Sequence, residues 1–188
     1  MDMKEWLNGL RKAERKKAMP ILSFPAVQLM GISVRELISD SDRQAEGMQR
    51  IAERVDAAAS VSLMDLSVEA ECFGSQIVVS EDEVPTVKGS IVSDLEEVEN
   101  LQIPPVGAGR TDIYIDAVRK AAEKIQDRPV FAGMIGPYSL AGRLLDVTEI
   151  MFYCYDEPEM VALLLDKVTE FLISYGKAYK ETGAHGIM

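Results

Sequence analysis

The side chains best suited to chemistry in this sequence lie just after its apolar runs. The run Val61-Ser62-Leu63-Met64 delivers Asp65, with Ser67, Glu69 and Glu71 close behind. The run Pro129 to Ile135 is followed by Tyr138, Ser139 and, one helical turn later, Arg143. An earlier run, Pro20 to Phe24, is followed by Ala26 to Gln28, which bring no charge. If these runs are parallel strands, the groups just past their carboxyl ends converge on one open face, where reacting groups of such barrels sit. Asp65 is then the candidate reacting group, and Glu69, Glu71, Tyr138, Ser139 and Arg143 are candidate substrate-binding groups. A carboxylate capping a helix over residues 66 to 73 would occupy the same position, so position alone leaves both readings of Asp65 open.

Metal and redox chemistry finds less support among these residues. Cys72 and Cys154 form neither a CxxC pair nor a disulfide framework, and each reads as a small buried side chain in a reducing cytoplasm. The single histidine, His185, reads as a structural residue. Gly107-Ala108-Gly109-Arg110 has two glycines of a phosphate-cradling loop, but it follows Pro104-Pro105 rather than a strand and lacks a third glycine. It reads as an ordinary turn.

Four apolar runs bounded by turn or cap residues are expected to be buried strands: Pro20 to Phe24, Ser60 to Met64, Pro129 to Ile135 and His185 to Met188. Helical periodicity fills the intervals. It is clearest over Glu157 to Thr182, where Met160, Val161, Leu164, Val168, Phe171, Leu172, Tyr175 and Tyr179 share a face, Asp156 and Glu159 have capping-box spacing and Gly183 supplies a stop. Asp112 to Gln126, capped by Thr111, turns Tyr114, Val118, Ala121, Ala122 and Ile125 inward, and a further helix covers Asp42 to Val55. Ser33 and Glu36 predict a short helix with its own capping box. Residues 75–109 are an excursion in which Gln76 to Val79 and Val84 to Val92 form a hairpin around Glu81-Asp82-Glu83. Alternating strands and helices imply an α/β domain of about four parallel strands with right-handed crossovers and this inserted hairpin, a single domain over residues 1–188.

With 47% hydrophobic and 27% charged residues in 188, the chain has the composition of a folded domain. Its net charge of -11 and pI near 4.6 disfavour nucleic acid and anionic membranes as partners. No apolar stretch approaches the ~20 residues needed to cross a bilayer, so the expectation is a soluble, cytoplasmic protein. Residues 1–18 are locally basic, and they read as a solvated leading helix with Trp6, Leu7 and Leu10 packed beneath it.

Three segments in order carry a family resemblance. Met64-Asp65-Leu66-Ser67-Val68-Glu69-Ala70-Glu71-Cys72-Phe73-Gly74 resembles the aspartate-centred motif of the uroporphyrinogen decarboxylase superfamily. Phe131-Ala132-Gly133 with Gly136-Pro137-Tyr138-Ser139-Leu140 resembles its third-strand motif, and Gly183-Ala184-His185-Gly186-Ile187 the entry to its fourth strand. The resemblance implies the N-terminal half of a (β/α)8 TIM-type barrel of roughly twice this length, with Asp65 facing the substrate cavity. An open half barrel would leave a strand edge unpaired, so self-association through that edge is expected.

The superfamily holds two chemistries. Its decarboxylases grip a tetrapyrrole's carboxylates with an arginine-rich first-strand loop, and use the aspartate to stabilise the charge that develops on protonation. Here that loop reads Ser23-Phe24-Pro25-Ala26-Val27-Gln28-Leu29 and has no arginine, while Arg143 stands where the decarboxylases have a tyrosine. The sister branch moves a methyl group from a corrinoid to a thiol held on zinc as thiolate, and Glu69-Ala70-Glu71 is similar to that branch. That branch implies zinc and a methylcorrinoid as cofactors, and a corrinoid protein or free methylcobalamin and a small thiol as partners. Its zinc ligands, a His-x-Cys pair and a later Cys, match nothing in this sequence and are expected beyond Met188. Methyl transfer is the leading expectation, tetrapyrrole decarboxylation the alternative, and a non-catalytic ligand-binding or docking module the third.

Overall fold

Strand-forming runs and helical stripes alternate along the chain, and the computed structural model, which describes residues 1–188, arranges them accordingly. The helices are α1 (Met3–Lys12), α2 (Ala26–Met30), α3 (Val34–Ile38), α4 (Ser41–Arg54), α5 (Val68–Cys72), α6 (Leu95–Asn100), α7 (Thr111–Lys124), α8 (Pro137–Leu145), α9 (Glu149–Asp156) and α10 (Pro158–Lys180). The strands are β1 (Ser60–Val61), β2 (Gln76–Val78), β3 (Thr86–Lys88), β4 (Val130–Ala132) and β5 (Gly186–Ile187). Two compact units result. One comprises residues 1–64, 113–133 and 179–188, and the other residues 65–112 and 134–178.

The first unit is an α/β layer on a parallel sheet of order β1-β4-β5, in which Ser60 lies beside Val130 and Phe131 beside Gly186. The ladders extend past the short strands through Ser62 N–H to the Phe131 carbonyl and Met188 N–H to the Ala132 carbonyl, both 2.9 Å. Beneath them Ala45, Met48 and Ala52 of α4 pack with Ala121, Ile125 and Val130. Small residues on α4 let α7 approach, and burial of the larger ones supplies the drive, about 1.5–3 kcal/mol for each large apolar side chain. The expected capping box of α3 is complete: the Ser33 hydroxyl accepts from Glu36 N–H, and the Glu36 carboxylate accepts from Ser33 N–H.

Two expectations for this unit are corrected. Pro20 to Phe24 is not a strand. Pro20 and Pro25 each remove a ladder donor, and Ser23 to Pro25 turn into α2, so this segment's contact with its neighbours is by single bonds. Ala18 accepts from Ala58 N–H at 2.8 Å, and Ser23 Oγ accepts from Met64 N–H. The leading helix is also shorter than expected. It ends at Lys12, where Ala13 turns extended, and Leu7 points to solvent while Trp6 stacks edge-on against Phe131 and donates to the Ala58 carbonyl.

The second unit is mainly helical. The apolar stripe of α10 from Met160 to Tyr175 is buried as its spacing predicts, with Phe171 edge-on to Phe73 and stacked on Tyr175. The hairpin forms, although its second strand covers only Thr86–Lys88, with Gln76 opposite Lys88. The rest of the insertion is tied down by Ile91 and Val92 N–H groups donating to the Leu144 carbonyl, and by Lys167 Nζ donating to the carbonyls of Glu99 and Leu101. Helix α9 was not legible, because only Ile150 of its eight residues is buried and no apolar stripe marks it. Asp156 closes α9 rather than capping α10, which leaves Glu157 as the junction. No helix is long and apolar enough to cross a membrane.

Candidate active site

Asp65 follows β1 by four residues and belongs to the second unit, with a fully buried side chain. Its two oxygens divide their work. Oδ1 accepts from the backbone N–H of Ser67 at 3.0 Å and from the Ser67 hydroxyl at 2.6 Å, which folds the chain back to start α5. Oδ2 accepts from Arg110 Nη1 at 2.6 Å. Asp65 therefore does not cap α5, whose N-cap is Ser67 without a side-chain cap bond; its Oδ1 closes the turn before the helix and its Oδ2 pairs with Arg110.

Arg110 was missed by the sequence reading, which took its loop for an ordinary turn. Its guanidinium engages three residues at once: Nη1 on Asp65, Nε on Glu71 Oε2 at 2.6 Å and Nη2 on Ser67 Oγ at 2.9 Å. A planar five-donor fork can satisfy such an arrangement where a lysine cannot. The loop is shaped for it. Gly107 and Gly109 have φ of 100° and 57°, and Thr111 Oγ1 accepts from Gly107 N–H while donating to the Ala108 carbonyl. A Cβ on Gly107 would stand 2.9 Å from Asp112 Oδ1 in a backbone conformation that disfavours any side chain. The signal available was chemical, since three acidic residues after β1 need a cation, and the glycine-flanked arginine supplies it. Thr111 thus braces the loop behind it instead of capping α7.

Glu69 sits beside this cluster on α5 and is 3% exposed. Oε1 accepts from Ile135 N–H at 3.2 Å, while Oε2 has no protein partner. Burial pushes its carboxyl up to about 7; the Asp65 charge adds to the rise, and the Ile135 N–H and the Arg143 charge oppose it. Arg143, on α8, likewise has a buried Nε without a partner. Glu71 is tied to Arg110, and its side chain is 30% exposed. Tyr138 and Ser139 occupy the first turn of α8 and are exposed, with the Tyr138 hydroxyl 3.7 Å from Cys154 Sγ. The structure thus gathers Asp65, Ser67, Glu71 and Arg110 by direct bonds, sets Glu69 and Arg143 nearby, and turns Tyr138 and Ser139 to solvent.

The two cysteines differ. Cys72 is buried, which pushes its thiol up to about 11, whereas Cys154 is exposed, contrary to expectation, because α9 turns most of its residues outward. His185 Nδ1 accepts from Val130 N–H at 3.2 Å, and burial lowers its basicity, as suits a structural imidazole. No three His, Cys, Asp or Glu side chains are grouped to hold a metal ion. These residues do not fit a zinc centre of their own.

Residues 16–188 match the family model of uroporphyrinogen decarboxylase (URO-D). The chain belongs to this family. It is 31% identical over 125 residues to methylcobamide:CoM methyltransferase MtbA of Methanosarcina acetivorans, a match covering 65% of this chain and 37% of that protein. It is 26% identical over 159 residues to uroporphyrinogen decarboxylase of Psychromonas ingrahamii, covering 81% and 44%. A solved methyltransferase from Methanosarcina mazei superimposes with a TM-score of 0.84 at 23% identity, over 98% of this chain and 57% of that one. That likeness shows the URO-D fold. The matched region spans 37% to 57% of the length of these relatives.

Proposed function

We propose that this URO-D family chain is part of an enzyme that moves a methyl group from a corrinoid to a small thiol. The observation that carries the reading is the similarity to two methylcobamide:CoM methyltransferases, at 31% and 32% identity, against 26% for the decarboxylases of Psychromonas ingrahamii and Helicobacter pylori. The site supports it. The one arginine bonded to Asp65 is committed to three side chains of its own unit, and the segment Ser23 to Leu29 carries none. A tetrapyrrole bearing many carboxylates would call for several cations presented to it.

In this reading Asp65, held by Arg110 and Ser67, is a fixed negative group that orients the acceptor. Zinc would supply acceptor activation in such chemistry by holding the sulfur as thiolate, and no group of residues here fits its ligand set. The partners are a corrinoid protein or free methylcobalamin and a small thiol, and the setting is the cytoplasm. The test is made on the full-length gene product. Bound zinc and thiol-dependent demethylation of methylcobalamin are expected; absence of both rejects the reading.

The decarboxylase reading has one observation in its favour, a buried, rigidly bonded carboxylate at Asp65 of the kind that stabilises developing positive charge. Coproporphyrinogen formation from uroporphyrinogen, abolished by Asp65→Asn, would establish it in place of methyl transfer. A docking module is the third reading. It predicts neither turnover.

A further inference from the structure

We propose that Glu69 is the proton-exchanging residue of this site, poised by Ile135 N–H on one oxygen and unpaired on the other. The geometry separates it from every other acidic residue near Asp65. Asp65 and Glu71 share the Arg110 guanidinium, each at 2.6 Å. Glu69 receives a backbone bond from Ile135 N–H at 3.2 Å, its own N–H also favours the anion, and its Oε2 is buried without a partner. A carboxylate left so poorly solvated in a protein interior is strongly disfavoured, whereas the neutral acid needs no counter-charge.

The groups facing it come from each neighbouring element. Asp65 precedes α5; Cys72 lies on α5, with Glu71 on the same helix turned to Arg110 of the 107–110 loop; Arg143 is on α8, which packs on α5. Asp65 favours the acid form and Arg143 the anion, so the proton's position depends on the charges of the site. The Arg143 charge favours the anion and so keeps the exchange reversible, and its own buried Nε has no partner.

This role rests on the methyl-transfer reading for its substrate. When the acceptor thiol becomes a nucleophile its S–H bond breaks and sulfur keeps the electron pair. The proton passes to Glu69 in its carboxylate form, which the Arg143 charge favours, and makes its O–H bond; Glu69 later releases the proton to solvent and returns to the carboxylate. Carboxyls tuned toward neutrality by burial are well suited to such transfers.

The test is infrared difference spectroscopy of this chain between pH 5 and 9, since the carbonyl stretch of a protonated carboxyl stands apart from that of carboxylates. Wild type should show a band that bleaches with a midpoint near 7. The band should vanish in Glu69→Gln, persist at a shifted position in Glu69→Asp, and titrate at lower pH in Asp65→Asn, where a neighbouring negative charge is removed. No such band in wild type, or one that survives Glu69→Gln, overturns the proposal. The readout needs no turnover. A titrating Glu69 in a protein without thiol-dependent methyl transfer therefore supports the proton role and rejects only the methyl reading. Methyl transfer with no Glu69 band rejects the proton role alone.

Discussion

The two units use their polar residues in opposite ways. In the sheet-bearing unit many serve the backbone: Ser33 and Glu36 close a capping box, Asp40 accepts from the first turn of α4, and His185 accepts from Val130 N–H, 55 positions away. In the helical unit they are drawn inward, and Asp65, Ser67, Glu71 and Arg110 form a cluster linking residues 39 to 45 positions apart. The first pattern stabilises a scaffold at low electrostatic cost. The second places charge in the interior, where each partner is needed to tolerate the others, as expected of a functional site.

Removing a cation from the second unit should therefore do most damage. Arg110→Met leaves the fully buried Asp65 carboxylate without its guanidinium and is expected to destabilise the chain by about 3–5 kcal/mol in urea unfolding. A loss below about 1 kcal/mol would remove the electrostatic distinction between the units. Removing the buried acid that lacks an ion pair should have the opposite sign. Glu69 is raised from 4.5 to about 7, so as pH rises through that window the unfolded chain ionises while the folded one keeps its proton, and stability is lost. Glu69→Gln escapes this loss. It should be more stable than wild type at pH 8 by up to about 3 kcal/mol, with the advantage disappearing near pH 4. Equal pH dependence in the two proteins would contradict the burial argument.

Smaller effects are expected in the scaffold. Ser33→Ala opens the α3 capping box and should cost about 1 kcal/mol, with no effect on the Asp65 cluster. Self-association through the outer edge of β5, where Ile187 and Met188 are exposed, is proposed at micromolar concentration; a concentration-independent monomer in sedimentation would reject it.

The same contrast explains what the sequence reveals. Local periodicity marks α4, α7, α10 and the strands β1 and β4, because their buried faces repeat along short stretches of chain, whereas β5, also read as buried, leaves Ile187 and Met188 exposed at the sheet edge. The α3 capping box is legible for the same reason, being complete within four residues. Pro20 to Phe24 misleads because apolar character alone does not distinguish a strand from a proline-bounded segment. Helix α9 has almost no buried face, and Cys154, read as buried, lies exposed on it. In the site, Asp65, Glu69 and Glu71 stand out through position after an apolar run. Arg110 does not, since its partner Asp65 is 45 residues away and its glycines suggest only a turn. Tyr138 and Ser139 also stand out through position after an apolar run, and both lie exposed in the first turn of α8.

The most direct test compares wild type and Asp65→Asn, as full-length gene products, for demethylation of methylcobalamin by a small thiol. The account predicts thiol-dependent loss of the methyl group in wild type, reduced at least about 100-fold in the variant because a buried, preorganised charge has been removed. Equal rates in the two proteins, or no thiol-dependent demethylation in either, would contradict it.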